Sequence, residues 1–304
     1  RVDRRQRQMC IRDRCVDTLE LGGSEFDCVS VFKKSGSWKR SWSALIRRLY
    51  TEYLLSNPRD YPILLLERPF FPKDLSNYIT QILLKEYQVP AVKRISEPIA
   101  SLYTTGIKTG IVVDVGTDET IICPIYHGYP MEYNIKILQC GYNQLSRSFK
   151  EELLIQYKDT PEAELLNDIP EQLLSDIIFQ SGCVKSDTTE TADDSQITDF
   201  KFNNILIQDQ FISLVINKKT RTQPFELFFG SSPRHDDHLM FDLVSDGIIK
   251  VLKDANSDTK IELSQNILVC GGITSVPGFE QRLLHELHTQ LPLVPQLPNT
   301  PNTP

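Results

Sequence analysis

Short apolar runs alternate with helical stripes through most of the chain, and this pattern predicts its elements. Ile63 to Leu66 is a buried strand held between Pro62 and Pro69. Lys73 to Tyr87 then repeats Leu75, Ile79, Ile82 and Leu83 at helical spacing, which predicts an amphipathic helix whose stripe is core. Val89 to Val92 returns as a strand, and Ser96 is placed to cap a helix that ends near Gly106. Ile111 to Val113 are β-branched and predict a buried strand; Gly116 allows a tight turn into a second strand, Thr120 to Tyr126. Gln144 to Tyr157 is a helix with Leu145, Phe149 and Leu153 inward. Further on, Leu173 to Phe179 reads as helix, Phe211 to Ile216 as a strand closed by a polar turn Asn217 to Arg221, and Leu239 to Leu252 as an amphipathic helix. Ile267 to Val269 is a last strand. Gly271 and Gly272 follow it, and Pro277 opens a helix carrying Phe279, Leu283, Leu284 and Leu287 on one face.

Two of these units share a form. Gly110 to Thr120 and Asn266 to Gly278 are each an apolar run ending in a glycine turn, far apart in sequence. Two such turns can form the lips of a phosphate-binding cleft, because turn amides donate to phosphate and a helix start favours anions. Asp114, Gly116 and Thr117 on the first turn, with Gly271, Gly272 and Ile273 on the second, are therefore the candidate nucleotide-binding residues. No catalytic residue and no metal-ligand cluster is assigned. His235-Asp-Asp-His238 are neighbours on one loop with no second cluster to complete a coordination shell. No Gly-x-Ser-x-Gly elbow supplies a nucleophile.

The stretch Ser101 to Gly116, followed by Pro124-Ile-Tyr-His-Gly-Tyr-Pro130, resembles the second phosphate hairpin of the actin family, and Leu268 to Gly278 resembles its adenosine segment. The likeness runs from Ser41 to Leu291. It implies a two-lobed α/β fold of the actin and Hsp70 (ribonuclease H-like) type, incomplete at both termini, with ATP or ADP and Mg2+ bound as a structural element. Leu54 to Asp60 and Leu64 to Glu67 are similar to the divergent actin-related proteins of dynactin's pointed end. That likeness implies a non-catalytic cytoplasmic, cytoskeletal subunit whose partners are other dynactin subunits, the actin-like filament and the pointed-end proteins. A nuclear actin-related subunit of a chromatin-remodelling complex and an ATP-hydrolysing member of the superfamily are the alternatives.

Departures from the family pattern favour the non-catalytic reading. The hairpin reads Asp114-Val-Gly-Thr-Asp118, so Val115 brings no hydroxyl to a phosphate. Ile273 and Val276 replace a threonine and an aromatic residue. Ile178 and Phe179 replace the Lys-Glu pair that holds ribose and base. Glu97 stands where the family carries the glutamine that orients the attacking water. Phosphoryl transfer rests on positioning and charge neutralisation, and a carboxylate beside the phosphates opposes both.

This implies an organisation of residues 1–40 as a segment without counterpart in the family, 41–140 as a first lobe and 141–270 as a second lobe with an acidic surface loop at 185–199. Residues 271–291 carry the adenosine turn and its helix, and 292–304 form a proline-rich tail read as disordered. Residues 1–14 hold six arginines without apolar periodicity and resemble a sequencing artefact. Leu19 to Ser24 is a faint candidate for the family's first phosphate loop.

Charge and composition alter this picture little. Residues 1–50 carry 12 Lys and Arg against 6 Asp and Glu, and the rest carry 21 against 34, giving the net charge of −7. The acidic body argues against a nucleic-acid surface, and no run is long enough to span a bilayer. Seven scattered cysteines without CxxC spacing point to reduced thiols.

Overall fold

The computed structural model describes residues 38–160, 162–185, 197–207, 210–230 and 243–290. The basic N-terminal segment, most of the acidic loop, the His235–His238 run and the proline-rich tail lie outside these residues. The chain divides into two compact units, Arg1–Ala100 and Ser101–Pro304.

In the first unit a helix, Trp38–Arg48 (α1), runs on into a wide turn at Leu49–Leu54. Strand Ile63–Glu67 (β1), helix Lys73–Gln81 (α2) and strand Val92–Ser96 (β2) then form one β-α-β crossover. The strands are parallel, in register from Ile63 opposite Val92 to Glu67 opposite Ser96. Leu75, Ile79, Ile82 and Leu83 are buried with Ile46 and Val89, so the helical stripe read from the sequence is the core of this unit. One boundary differs from expectation. Pro90 has no N–H to give a ladder; Val89 packs in the core, and the strand begins only at Val92. Ser96 ends that strand and directly precedes the next helix, Glu97–Thr104 (α3), which spans the boundary between the units.

The second unit is built on a five-stranded sheet of Gly110–Val115 (β3), Thr120–Tyr126 (β4), Tyr129–Pro130 (β5), Lys136–Leu138 (β6) and Ile267–Cys270 (β9). Helices Tyr142–Gln156 (α4), Glu162–Asn167 (α5) and Glu171–Ser181 (α6) follow β6. Strands Phe200–Ile207 (β7) and Gln210–Ile216 (β8) form an antiparallel hairpin. Helices Lys218–Thr222 (α7), Val244–Asp254 (α8), Ser257–Ser264 (α9) and Phe279–Gln290 (α10) complete the unit. The inward residues expected of α4 (Leu145, Phe149, Leu153) and three of those expected of α10 (Phe279, Leu283, Leu287) meet Val244, Ile248, Val251 and Leu252 of α8 and Ile111, Val113 and Ile122 of the sheet in one core. Leu284, expected on the same face of α10, is exposed.

The boundary between compact units falls after Ala100. Parallel pairing of β3 with β9, from Ile111 opposite Ile267 to Asp114 opposite Cys270, joins residues 110–138 to the C-terminal part of the chain. Asn217 to Arg221 is a capped helical turn and not an open polar one. The Asn217 side-chain oxygen accepts from the Thr220 amide at 2.8 Å, the usual N-cap arrangement. Phe225, Phe228 and Phe229 are buried within the core of this unit.

Cys123 lies in the middle of β4, fully buried, and burial pushes its thiol up to about 12, with Glu132 adding a smaller push in the same direction. A raised folded pKa means that the protein keeps this proton after the unfolded chain has lost it. The stabilising contribution is therefore whole below about 9 and falls away as pH rises toward about 12. Alkylation at pH 8 is expected to leave Cys123 unlabelled in the native protein and to reach it only on unfolding. Rapid native labelling of Cys123, read by peptide mapping, would contradict the buried placement of β4.

Candidate functional site

Parallel strands β3 and β9 deliver their two glycine turns to the same edge of the sheet, beyond their carboxyl ends, where open α/β sheets bind ligands. The two turns touch backbone to backbone. Gly271 has φ 114°, and a Cβ there would lie 2.2 Å from the Val115 carbonyl oxygen. Only glycine combines that conformation with that approach. The structure thus brings Asp114, Gly116, Thr117, Gly271 and Gly272 to one edge of the sheet. Asp114 is half-buried at the end of β3, paired to Cys270 on one side and to Ile121 on the other. Ile273 is buried in the core, so its part in any ligand contact is through backbone and not side chain.

The β3–β4 loop is anchored to the start of α4. The Tyr142 amide donates to the Gly116 carbonyl at 3.0 Å and the Asn143 amide to the Thr117 carbonyl at 2.8 Å. Asn143 Nδ2 donates to Asp118 Oδ1 at 2.7 Å, and Gln144 Nε2 donates to the Asp118 carbonyl at 3.2 Å. Gln144 Oε1 accepts from the Gly141 amide at 3.0 Å. A Cβ at Gly141 would come within 2.6 Å of the Thr117 carbonyl oxygen, so that position admits only glycine. The first amides of α4, which a helix start would otherwise offer to an anion, are in this way engaged by the loop itself.

The second turn is closed internally as well. Thr274 Oγ1 donates to the Gly271 carbonyl at 2.8 Å, and Ser275 Oγ donates to the Gly272 carbonyl at 2.7 Å. Beside it stands an aromatic pair that sequence reasoning did not assemble. Phe179 of α6 and Tyr142 of α4 lie nearly parallel, 6° between planes and 6.1 Å between centroids. A Cβ at Gly272 would meet Phe179 Cζ at 3.4 Å. Phe179 is 39% exposed, so its ring borders the turn without leaving solvent. The pairing of Phe179 with Tyr142, far off in sequence, carries no periodic signal.

The chemistry available follows from these positions. Backbone groups of Gly271 and Gly272, both exposed, make a cradle that a phosphate or an adenosine moiety can approach. Val115 is buried in the core and presents nothing to a ligand. Among the described residues no group of His, Cys, Asp and Glu could hold a metal ion by itself. A magnesium ion would depend on the ligand's phosphates and water with Asp114 in support, which suits its preference for few carboxylates. Glu97, the residue in the water-orienting position of the resemblance, belongs to α3, its carboxylate 3.9 Å from Arg68 Nε.

Comparison with protein-family models matches the actin model over residues 38–297, a span that includes every described element.

Proposed function

The chain belongs to the actin family, and we propose that it is a non-catalytic structural member, a subunit at the pointed end of the actin-like filament of dynactin. The family's two-lobed fold generally binds nucleotide with Mg2+. In the proposed role a nucleotide stabilises the folded protein by mass action, about 2.7 kcal/mol at a hundredfold excess over Kd, and needs no turnover. The observation that carries the non-catalytic reading is the β3–β4 loop. Its residue 115 is a buried valine, and its Gly116 and Thr117 carbonyls are tied to α4. A loop whose carbonyls are tied to its own helix and whose residue 115 brings no hydroxyl supports a site that holds a ligand without turnover. The dynactin assignment rests on the likeness of Leu54 to Asp60 and Leu64 to Glu67, in a segment where the Asn57 side chain caps the Pro58–Asp60 turn. Its partners are then the filament and pointed-end subunits, and its place the cytoplasmic cytoskeleton.

Two measurements test the reading. Mg-ATP at a hundredfold excess over Kd is expected to raise the melting temperature by roughly 5–10 °C, taking about 2–4 °C per kcal/mol for a unit of this size. Phosphate release should stay at background, and Asp114→Ala should lose the thermal shift without changing a turnover that is already nil. Robust magnesium-dependent phosphate release from pure protein would sink the non-catalytic reading. Affinity purification of the tagged protein from its own cells, followed by a sizing gradient and mass spectrometry, tests the assembly. Co-migration with dynactin's filament subunits is expected; recovery with remodelling ATPases, or as a free monomer, would overturn it.

A further inference from the structure

Two aromatic rings connect the glycine turns of the candidate site. The Tyr142 amide donates to the Gly116 carbonyl at 3.0 Å, which seats this residue against the first turn. Phe179 reaches the second. Among the described residues, a Cβ built at Gly272 would have only Phe179 Cζ at 3.4 Å and Cε1 at 3.7 Å within 4 Å of it. The two rings are parallel to within 6°, with centroids 6.1 Å apart. Phe179 is 39% exposed and Gly272 is exposed, so the ring and the turn it touches are both open to solvent.

An exposed phenylalanine alone says little, since folded surfaces carry many apolar atoms. Its position gives this one a use. A nucleotide whose phosphates lie on the turn amides brings its base, a sugar away, over the same edge of the sheet. A flat ring beside the turn is a stacking partner for that base. Hydrogen bonds to the base edge are harder to supply. The Thr274 and Ser275 hydroxyls already donate to the Gly271 and Gly272 carbonyls, at 2.8 Å and 2.7 Å. Ile273 and Val276 are buried. The side chains of this turn therefore bring no spare hydroxyl proton to a base edge. Stacking uses a face that every base possesses, whereas strong discrimination needs groups paired to the edge.

We propose that Phe179, alongside Tyr142, is the platform on which the nucleotide's base stacks, and that the site accepts nucleoside triphosphates of any base instead of adenosine alone. The inference rests on the nucleotide-holding reading of the two turns. It is tested on the full chain by equilibrium binding of the magnesium salts of ATP, GTP, CTP and UTP, and of inorganic triphosphate, which has no base. The four nucleotide affinities should agree to within about tenfold. Phe179→Ala should weaken all four by about fivefold or more and leave triphosphate unchanged, which also shows that the variant is folded. Phe179→Trp should restore the affinities, and its added fluorescence should be quenched by nucleotides but not by triphosphate. The chain's own tryptophans, Trp38 and Trp42, belong to the other unit and serve as the parent background. This variant decides the matter even where the alanine one does not fold. Binding of ATP alone, equal losses for nucleotides and triphosphate, or an unquenched Phe179→Trp would each overturn the proposal and leave the nucleotide reading standing. A parent that binds no nucleotide would overturn both.

Discussion

Arg282→Ala is expected to lower the stability of the second unit by about 3–5 kcal/mol, because it removes one partner of a buried ion pair and strands the other. Arg282 is 1% exposed, a position at which arginine is almost never found without partners. Its Nε lies 2.8 Å from Glu286 Oε1, one helical turn along α10, and Nη2 lies 3.5 Å from Glu226 Oε2. Nη1 donates to the Lys185 carbonyl at 3.3 Å, and the guanidinium sits over the Phe229 ring, 5.5 Å from its centroid. One side chain therefore fastens three segments remote in sequence: the stretch after α6, the turn after α7, and α10. Truncation leaves the Glu226 carboxylate, itself 8% exposed, without this ion-pair partner. Thermal unfolding should show a fall on the order of 10 °C. The double change Arg282→Met with Glu226→Leu distinguishes a stranded charge from lost packing. Since replacing both members of a buried pair by apolar groups is often neutral, it should recover most of the loss. A fall under about 3 °C for the single change, or no recovery in the double, would refute this account.

Gly271→Ala should be as damaging, and its neighbour Gly272→Ala nearly silent. At position 271 a Cβ meets the Val115 carbonyl oxygen at 2.2 Å and its carbon at 3.0 Å, at a φ of 114° that side chains rarely adopt. The obstacle is main chain of β3, so relief requires separating β3 from β9 where Asp114 faces Cys270. The conformational strain alone costs about 1–3 kcal/mol, and the clash adds to it. At position 272 the nearest atom is Phe179 Cζ at 3.4 Å, ordinary contact with the end of a side chain that can turn aside. Urea unfolding monitored in parallel should place Gly271→Ala at least 3 kcal/mol below the parent and Gly272→Ala within about 1 kcal/mol of it. Equal effects at the two positions would mean that the turns are not held backbone to backbone. If Mg-ATP shifts the parent's melting temperature, the same pair separates the cradle from the fold. Gly272→Ala should keep the shift, since the side chain it adds points at Phe179 and not at the approach of the two turns.

How much of this was legible beforehand differs from element to element. Leu75, Ile79, Ile82 and Leu83 announced their helix and their inward face, because one amphipathic stripe is a local property that every turn repeats. The strands at 111–113, 120–126 and 267–269 were readable for a similar reason, as were Gly271 and Gly272. The helix at Lys218–Thr222 was missed. Its five residues are too few for periodicity, and its cap, Asn217, is as common in turns as at helix starts.

What the sequence determined by itself is local: which segments are helix or strand, which side chains face inward, and which glycines mark turns that approach other backbone. Those follow from spacing and from the conformational range of each residue. Tertiary structure alone decided which distant segments are neighbours. It paired Asp114 with Cys270 and so drew β3 into the second unit; it set Tyr142 against Phe179; it buried Arg282 between Glu226 and Glu286; it turned the Gly116 and Thr117 carbonyls toward α4. None of these leaves a periodic mark, because each partner satisfies its own local pattern equally well wherever the other lies. Long-range pairing is fixed by the joint burial of many side chains, and that is a property of the whole packed core rather than of any stretch of the chain.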